Sequence, residues 1–307
     1  MRLPTWPSAL TRMLQLLRLP NVFTAIADVW MGLAVTRGTL APADDTAWLT
    51  LISVCLYLAG MALNDVFDVE QDTRERPNRP IPSGRVSIST ARLLGWGLLG
   101  SGIAIGWIVT WQFGTWRPGV VATLLGVCVV LYDAILKPTA LGPLAMGGCR
   151  MLNVLLGMSL AMRDLELHEW LIAGGIGLYI AGLTWFARTE ATTSQRWSLA
   201  LGATLSVLGI AMIAAIATRL PAGSLQITET GWFLLWSVVA LSVLRRYLLA
   251  VIRPTPRCVQ VAVKNGILTL IVIDAGVALG LAGVFWGCAI LLLIFPTMIL
   301  GRSIAMT

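Results

Sequence analysis

Apolar residues fill this chain in long continuous runs, not in the alternating or three-to-four-residue patterns of water-facing strands and helices. A helix that crosses a bilayer needs about 20 mostly apolar residues. Runs of that kind begin near Val22, Trp48, Leu93, Val120, Gly142, Trp170, Ser198 and Trp232. The stretch from Val261 to Leu300 is too long for one crossing and divides at Gly280-Leu281-Ala282-Gly283, leaving a last segment that either crosses or re-enters. The pattern predicts an all-α integral membrane protein, a bundle of about nine transmembrane helices, with residues 21–302 in the membrane region of a single domain over 1–307. Small-residue runs such as Gly174-Gly175-Ile176-Gly177 permit close helix packing. Residues 1–20 lack the pattern of a signal peptide. With Ser8 as a cap and Leu10, Met13, Leu14 and Leu17 on one side, they predict an amphipathic helix lying at the interface.

Composition agrees with this reading. The chain is 57% hydrophobic and 12% charged, with a mean hydropathy of +0.81, more apolar surface than a water-soluble domain of this length can hide. The net charge of +7 sits in short loops between apolar runs, which argues against a nucleic-acid partner and for orientation in a bilayer. With the N-terminus placed in the cytoplasm, seventeen Lys and Arg fall on the inner side and only Arg37, Arg117, Arg163 and Arg219 on the outer. The expected location is a multi-pass protein of a membrane such as the bacterial inner membrane, with cytoplasmic loops at 65–93 and 188–197. Four spans separate those loops, which suggests two related halves. Five scattered cysteines without a Cys-x-x-Cys pair predict neither a disulfide framework nor a zinc site. The only histidine, His168, leaves little room for catalysis by imidazole. Most of the thirteen tryptophans read as interfacial belt residues.

One segment carries chemistry. The second run ends in Leu63-Asn64-Asp65-Val66-Phe67-Asp68-Val69-Glu70-Gln71-Asp72. At 3.6 residues per turn Asn64, Asp68 and Asp72 stack, and Asp65 lies on the adjoining strip. Three carboxylates and a carboxamide offer only oxygen donors, a set suited to a hard cation such as Mg²⁺ that keeps waters and shares phosphate oxygens. The following loop holds Arg74, Arg76, Arg79 and Arg85 among Pro77, Pro80 and Pro82, and arginine forks match phosphate oxygens. Metal-gripping carboxylates beside phosphate-gripping arginines at a membrane surface describe a lipid-diphosphate site.

The same residues carry a resemblance. Asn64-Asp65-x-x-Asp68-x-x-x-Asp72 followed by Arg79-Pro-x-x-Ser83-Gly84 resembles the first signature of the UbiA-type intramembrane prenyltransferase superfamily. Arg18-Leu-Pro20-Asn21 is similar to that family's opening, and Tyr132-x-x-x-x-Lys137-x-Thr139 to its Tyr…Lys segment. The resemblance implies a helical fold around a central cavity. It also implies transfer of a prenyl group from a prenyl diphosphate to a small, aromatic or otherwise lipophilic acceptor, with Mg²⁺ as cofactor and membrane lipids as surroundings. Asn64, Asp65, Asp68 and Asp72 would hold the metal; Arg76, Arg79, Lys137 and Arg188 would hold the diphosphate. Asn21, Tyr132 and Glu190 join the candidate substrate-binding residues. The chain departs from the family pattern after the sixth span, where Thr184-Trp185-Phe186-Ala187-Arg188-Thr189-Glu190 replaces a second Asp-rich motif. There Arg188 is expected to supply directly the positive charge that a second metal would bring.

Other charged residues have plainer readings beside the functional ones. Asp133 and Lys137, four apart, fit an interfacial ion pair or a cavity wall with Lys137 on the diphosphate. Arg150 and Asn153 share a face of the fifth span, where a buried arginine marks a substrate path or a paired charge, and Asp28 and Asp274 are both available as its partner. A non-catalytic isoprenoid-binding or transport protein is the rival class. The CDP-alcohol phosphotransferases are a poorer match, because their Asp-Gly and Ala-Arg signature is absent.

Overall fold

The computed structural model describes residues 13–188 and 194–303. Apart from Met13–Leu16, which are helical, the expected interfacial helix lies outside the described residues, as does Glu190. A 3₁₀ turn, Leu19–Asn21, leads into α1 (Val22–Arg37) and then α2 (Ala43–Phe67), the short α3 (Val69–Glu75) and α4 (Ile88–Phe113). Helix α5 (Arg117–Leu131) runs into a π-helical turn, Tyr132–Leu136, and is followed by α6 (Gly142–Met158) and α7 (Leu167–Ala187). Next come α8 (Arg196–Ala214), α9 (Glu229–Ile252), α10 (Pro256–Ala282), α11 (Val284–Leu291) and α12 (Ile294–Ser303). No strand occurs among the described residues.

Nine helical segments among the described residues are long and apolar enough to cross a membrane, the last being α11 and α12 together over Val284–Gly301. The 17-residue α6 is shorter but packs between α1 and α7 inside the bundle. The outer surface carries exposed Leu93, Trp111, Leu144, Leu241 and Phe285, a dressing that suits hydrocarbon rather than water. Trp232 and Trp236 are exceptions to the belt expectation: both are buried and meet edge-on, where the indole of Trp232 also donates to Ala214 O (2.8 Å).

The last segment, α11 and α12, is long and apolar enough for a return crossing. Gly283 (φ 99°, ψ 170°) adopts a backbone conformation that a Cβ disfavours, and it turns the chain back on itself. Helix α12 then packs against α1 and the 3₁₀ turn at Leu19–Asn21, the end of the bundle where the chain enters.

Lipid tails give helices no hydrophobic reason to associate, so close backbone approach supplies the packing energy. Glycines provide it along α1, α6, α7 and α8. A Cβ on Gly157 would lie 2.4 Å from Val29 O, one on Gly147 2.4 Å from Gly177 O, and one on Gly182 2.4 Å from Ser206 N. Each obstacle is backbone, which cannot swing aside. Gly157→Ala is therefore expected to destabilise the protein by about 1–3 kcal/mol through overpacking of α1 on α6. A melting temperature in detergent unchanged from the parent would contradict this packing.

Candidate active site

The Asn/Asp segment is built where α2 runs out. The helix is interrupted at Asp68 (φ −85°, ψ 2°), yet Asp68 N still donates to Asn64 O (3.0 Å), Asp72 N to Asp68 O (2.8 Å) and Arg76 N to Asp72 O (2.8 Å). Helical spacing thus survives the break, and Asn64, Asp68 and Asp72 all reach the same cavity. The loop beyond is pinned at both ends. Ser83 N and Oγ both donate to Arg79 O (3.0 and 2.7 Å), and Val86 N donates to Pro80 O (3.0 Å). Ile81 and Val86 sink into a small apolar cluster with Leu16, Val66 and Ala91. That cluster holds Arg79 over the carboxylates.

Each carboxylate meets a cation from a different part of the chain. Asp65, which is buried, accepts from Arg18 Nη2 (2.8 Å) and Arg79 Nη1 (3.4 Å). Arg79 Nη1 also donates to Asp72 Oδ2 (2.6 Å), and Lys137 Nζ donates to Asp68 Oδ2. Asn64 accepts weakly from Arg18 Nη2 (3.4 Å) and donates to Asp133 Oδ1 (2.8 Å). Arg18 itself stands in the left-handed region (φ 43°), an uncommon place for a side-chain-bearing residue.

An Asp133–Lys137 ion pair, one of the two readings of that spacing, does not form. The π-helical turn is the reason: Lys137 N bonds to Tyr132 O (2.9 Å), five residues back, so positions four apart no longer stack. Asp133 is released to Asn64 and Lys137 to Asp68. Nothing in the composition of Tyr132–Lys137 announces a π turn.

The cavity measures about 760 Å³. Arg18, Arg76, Arg79, Lys137 and Arg188 line it near the motif, with Tyr132 on the wall; Leu125, Val129, Ile180 and Leu183 give it apolar sides. Arg188, at the end of α7, donates to Pro138 O (3.1 Å) and lies over the Trp185 ring (5.4 Å to the centroid), without a carboxylate partner among the described residues. Arg150, Asn153 and Asn21 line the deeper part. There Arg150 Nη1 donates to Asp28 Oδ2 (2.9 Å), so Asp28 is its ion-pair partner and Asp274 is not.

A family model described as the UbiA prenyltransferase family matches residues 25–269 of the chain, most of its length. The chain belongs to the UbiA prenyltransferase family. Among curated relatives, a digeranylgeranylglyceryl phosphate synthase of Metallosphaera sedula is 33% identical over 129 residues, 42% of this chain and 43% of that protein. Its counterpart in Sulfurisphaera tokodaii is 40% identical over 81 residues, 26% of this chain and 29% of that protein. The matched stretches are thus less than half of each relative. Among solved structures, one described as a digeranylgeranylglyceryl phosphate synthase superposes with a TM-score of 0.67 at 16% identity, covering 90% of this chain and 99% of that one. A UbiA homolog from Archaeoglobus fulgidus bound to GPP and Mg²⁺ gives a TM-score of 0.59 at 12% identity, covering 84% of this chain and 99% of that one. These likenesses establish the shared fold of a multi-pass membrane protein.

Asp65, Asp68 and Asp72 are each paired with a cation, and the Asn64 amide is given to Asp133. Among the described residues no three carboxylate, histidine or cysteine side chains converge as a metal site. The donor set nevertheless fits Mg²⁺ with a diphosphate: oxygen atoms only, three of the four residues on the cavity, and each carboxylate held by a cation able to turn to phosphate oxygens. Arg18 and Asp133 are the partners that sequence spacing does not mark, since each is brought in from a distant segment, the N-terminal turn and the π-helical turn. Because the carboxylates are already neutralised, Mg²⁺ alone is expected to bind weakly. Calorimetry should show affinity rising at least roughly tenfold once a prenyl diphosphate can receive the displaced Arg79 and Lys137. Equal Mg²⁺ affinity with and without it would contradict the exchange.

Proposed function

We propose that the protein is an intramembrane prenyltransferase that moves an isoprenyl group from a prenyl diphosphate to a small lipophilic acceptor. The observation that carries this reading is the cavity mouth, where Asp65, Asp68 and Asp72 meet Arg18, Arg79 and Lys137 from three other segments above an apolar-walled chamber. Such a mouth holds anion-binding groups and metal ligands together, ready to be shared out when a diphosphate enters. Mg²⁺ would be held by Asn64, Asp68 and Asp72, with Asp65 beside them, and would neutralise charge on the diphosphate. Arg79, Lys137, Arg76 and Arg188 would take phosphate oxygens through charged hydrogen bonds, stabilising the leaving diphosphate as its negative charge grows. Leu125, Val129 and Leu183 would keep water from the allylic carbon while the acceptor attacks.

The curated relatives are named for digeranylgeranylglyceryl phosphate, so isoprenyl glyceryl compounds are the acceptor class to assay first. The arginines of the 74–85 loop support an orientation with that loop and the N-terminus in the cytoplasm.

Charge arithmetic makes Arg188 informative. A diphosphate carries about three negative charges, one Mg²⁺ offsets two, and Glu190 alone is a poor anchor for a second metal. Fixed positive charge from Arg188 supplies the difference. Arg188→Ala should therefore weaken turnover or diphosphate affinity by about 2 kcal/mol or more, the scale of a lost charged hydrogen bond. Glu190→Gln should matter much less. The check is transfer of radiolabelled geranylgeranyl diphosphate, with diphosphate binding measured alongside. Equal and severe losses in both variants, with two metals bound per protein, would refute this role for Arg188.

A further inference from the structure

Asp65, Asp68 and Asp72 each have a cation; Asp133, beside them on the cavity, has none among the described residues. It is buried on the π-helical turn, and Lys137, which regular helical spacing would stack on it, goes to Asp68. Its hydrogen bond comes from a neutral group instead: Asn64 Nδ2 donates to Asp133 Oδ1 at 2.8 Å. A buried carboxyl without a counter-ion costs stability. A clasp between α2 and the π turn does not need one, since a neutral amide or hydroxyl would make it at lower cost.

What a carboxyl adds at this place is a choice of direction. Asn64 is the one amide in a donor set otherwise made of carboxylates. Asp68 and Asp72 present oxygen whichever way they turn, whereas Asn64 has one end that can hold a hard cation and one that cannot. The two ends are nearly equal in size, so hydrogen bonding, not shape, decides which faces where. The Asp133 oxygen takes the nitrogen end. Asn64 Oδ1 is left toward Arg18 Nη2, and that contact is long (3.4 Å) and easily given up. The extra residue in the π turn rotates Asp133 by about 100° relative to a regular helix, which is how it comes to face Asn64 rather than Lys137.

Resting on the reading above that Asn64 is among the Mg²⁺ ligands, we infer that Asp133 is a positioning residue that holds the Asn64 carbonyl oxygen toward a divalent cation bound with the diphosphate. It acts through Asn64 and touches neither ion itself. An amide free to turn would offer its N–H groups to the nearby diphosphate oxygens, and the metal would lose a ligand.

A double-variant cycle read by metal binding tests this without requiring transfer. The full chain in lipid nanodiscs, with geranylgeranyl diphosphate and no acceptor, is titrated with Mn²⁺ in place of Mg²⁺, and free Mn²⁺ is followed by electron paramagnetic resonance. Asp133→Asn keeps the shape but can meet Asn64 with either end, and should weaken Mn²⁺ binding roughly tenfold or more, the scale on which groups behind a metal ligand act. Asn64→Ala should weaken it comparably, and adding Asp133→Asn to Asn64→Ala should cost no more than about twofold further. Exchanging the two groups, Asn64→Asp/Asp133→Asn, puts carboxylate oxygen at position 64 with an N–H donor behind it, and should return the affinity to within about threefold of the parent. Unchanged Mn²⁺ affinity in Asp133→Asn, even with a lower melting temperature, would reduce the pair to a structural clasp and overturn the inference. Losses that add in the Asn64→Ala/Asp133→Asn variant would also overturn it, since they mark a direct ligand or an effect of charge alone. So would an exchanged variant as weak as Asp133→Asn. Each of these leaves the metal reading standing, whereas no Mn²⁺ binding by the parent would overturn that reading and the inference with it.

Discussion

The Asp65 carboxylate accepts hydrogen bonds from Arg18 and Arg79, and through them one helix end fastens an N-terminal turn and a proline-rich loop over the cavity. Asp65 is only 4% exposed. A carboxylate so deeply placed is costly unless paired, and removing one partner of such a pair typically costs 3–5 kcal/mol. Its cations are therefore obligatory, and so are the segments that carry them. The arrangement also explains how a membrane protein can keep three carboxylates together: each is balanced locally by a basic group of phosphate-binding chemistry. The groups that balance these carboxylates are the same set that would receive a metal diphosphate.

Much of this was legible in the sequence because its signals are local. Apolar run length marks the crossings, and the spacing of Asn64, Asp68 and Asp72 survives the break at Asp68, so these three side chains do share a cavity. Pairings between distant elements were not legible. The choice of Asp28 over Asp274 as partner of Arg150 depends on how α1, α6 and α10 are rotated against one another, which neither span length nor hydropathy records. The π-helical turn shifts the register by one residue and so redirects Asp133 and Lys137, leaving no mark in residue type. Trp232 and Trp236 sit near a span start, as belt residues do, yet they fill the core because Gly280 lets the Trp232 ring lie against its backbone.

The cavity divides its polar groups into two levels of different character. The mouth holds cations facing carboxylates that can exchange partners, whereas Arg150, Asp28, Asn153 and Ser53 are hydrogen-bonded to one another away from the motif. Exchangeable charge suits a group that arrives with its metal and leaves as a product. The C-terminal pair α11 and α12 lies beyond the matched family region, and α12 packs on the turn that follows Arg18. It thereby supports the strained residue (φ 43°) on which Asp65 depends.

The central claim, that carboxylates and cations at the mouth are paired at rest and change partners on binding, is tested most directly by an experimental structure with Mg²⁺ and a prenyl diphosphate. Arg79 should leave Asp72 and Lys137 should leave Asp68, each moving within hydrogen-bond distance of a phosphate oxygen while the freed carboxylates face the metal. A diphosphate bound elsewhere, with the Arg79–Asp72 and Lys137–Asp68 pairs intact, would contradict it.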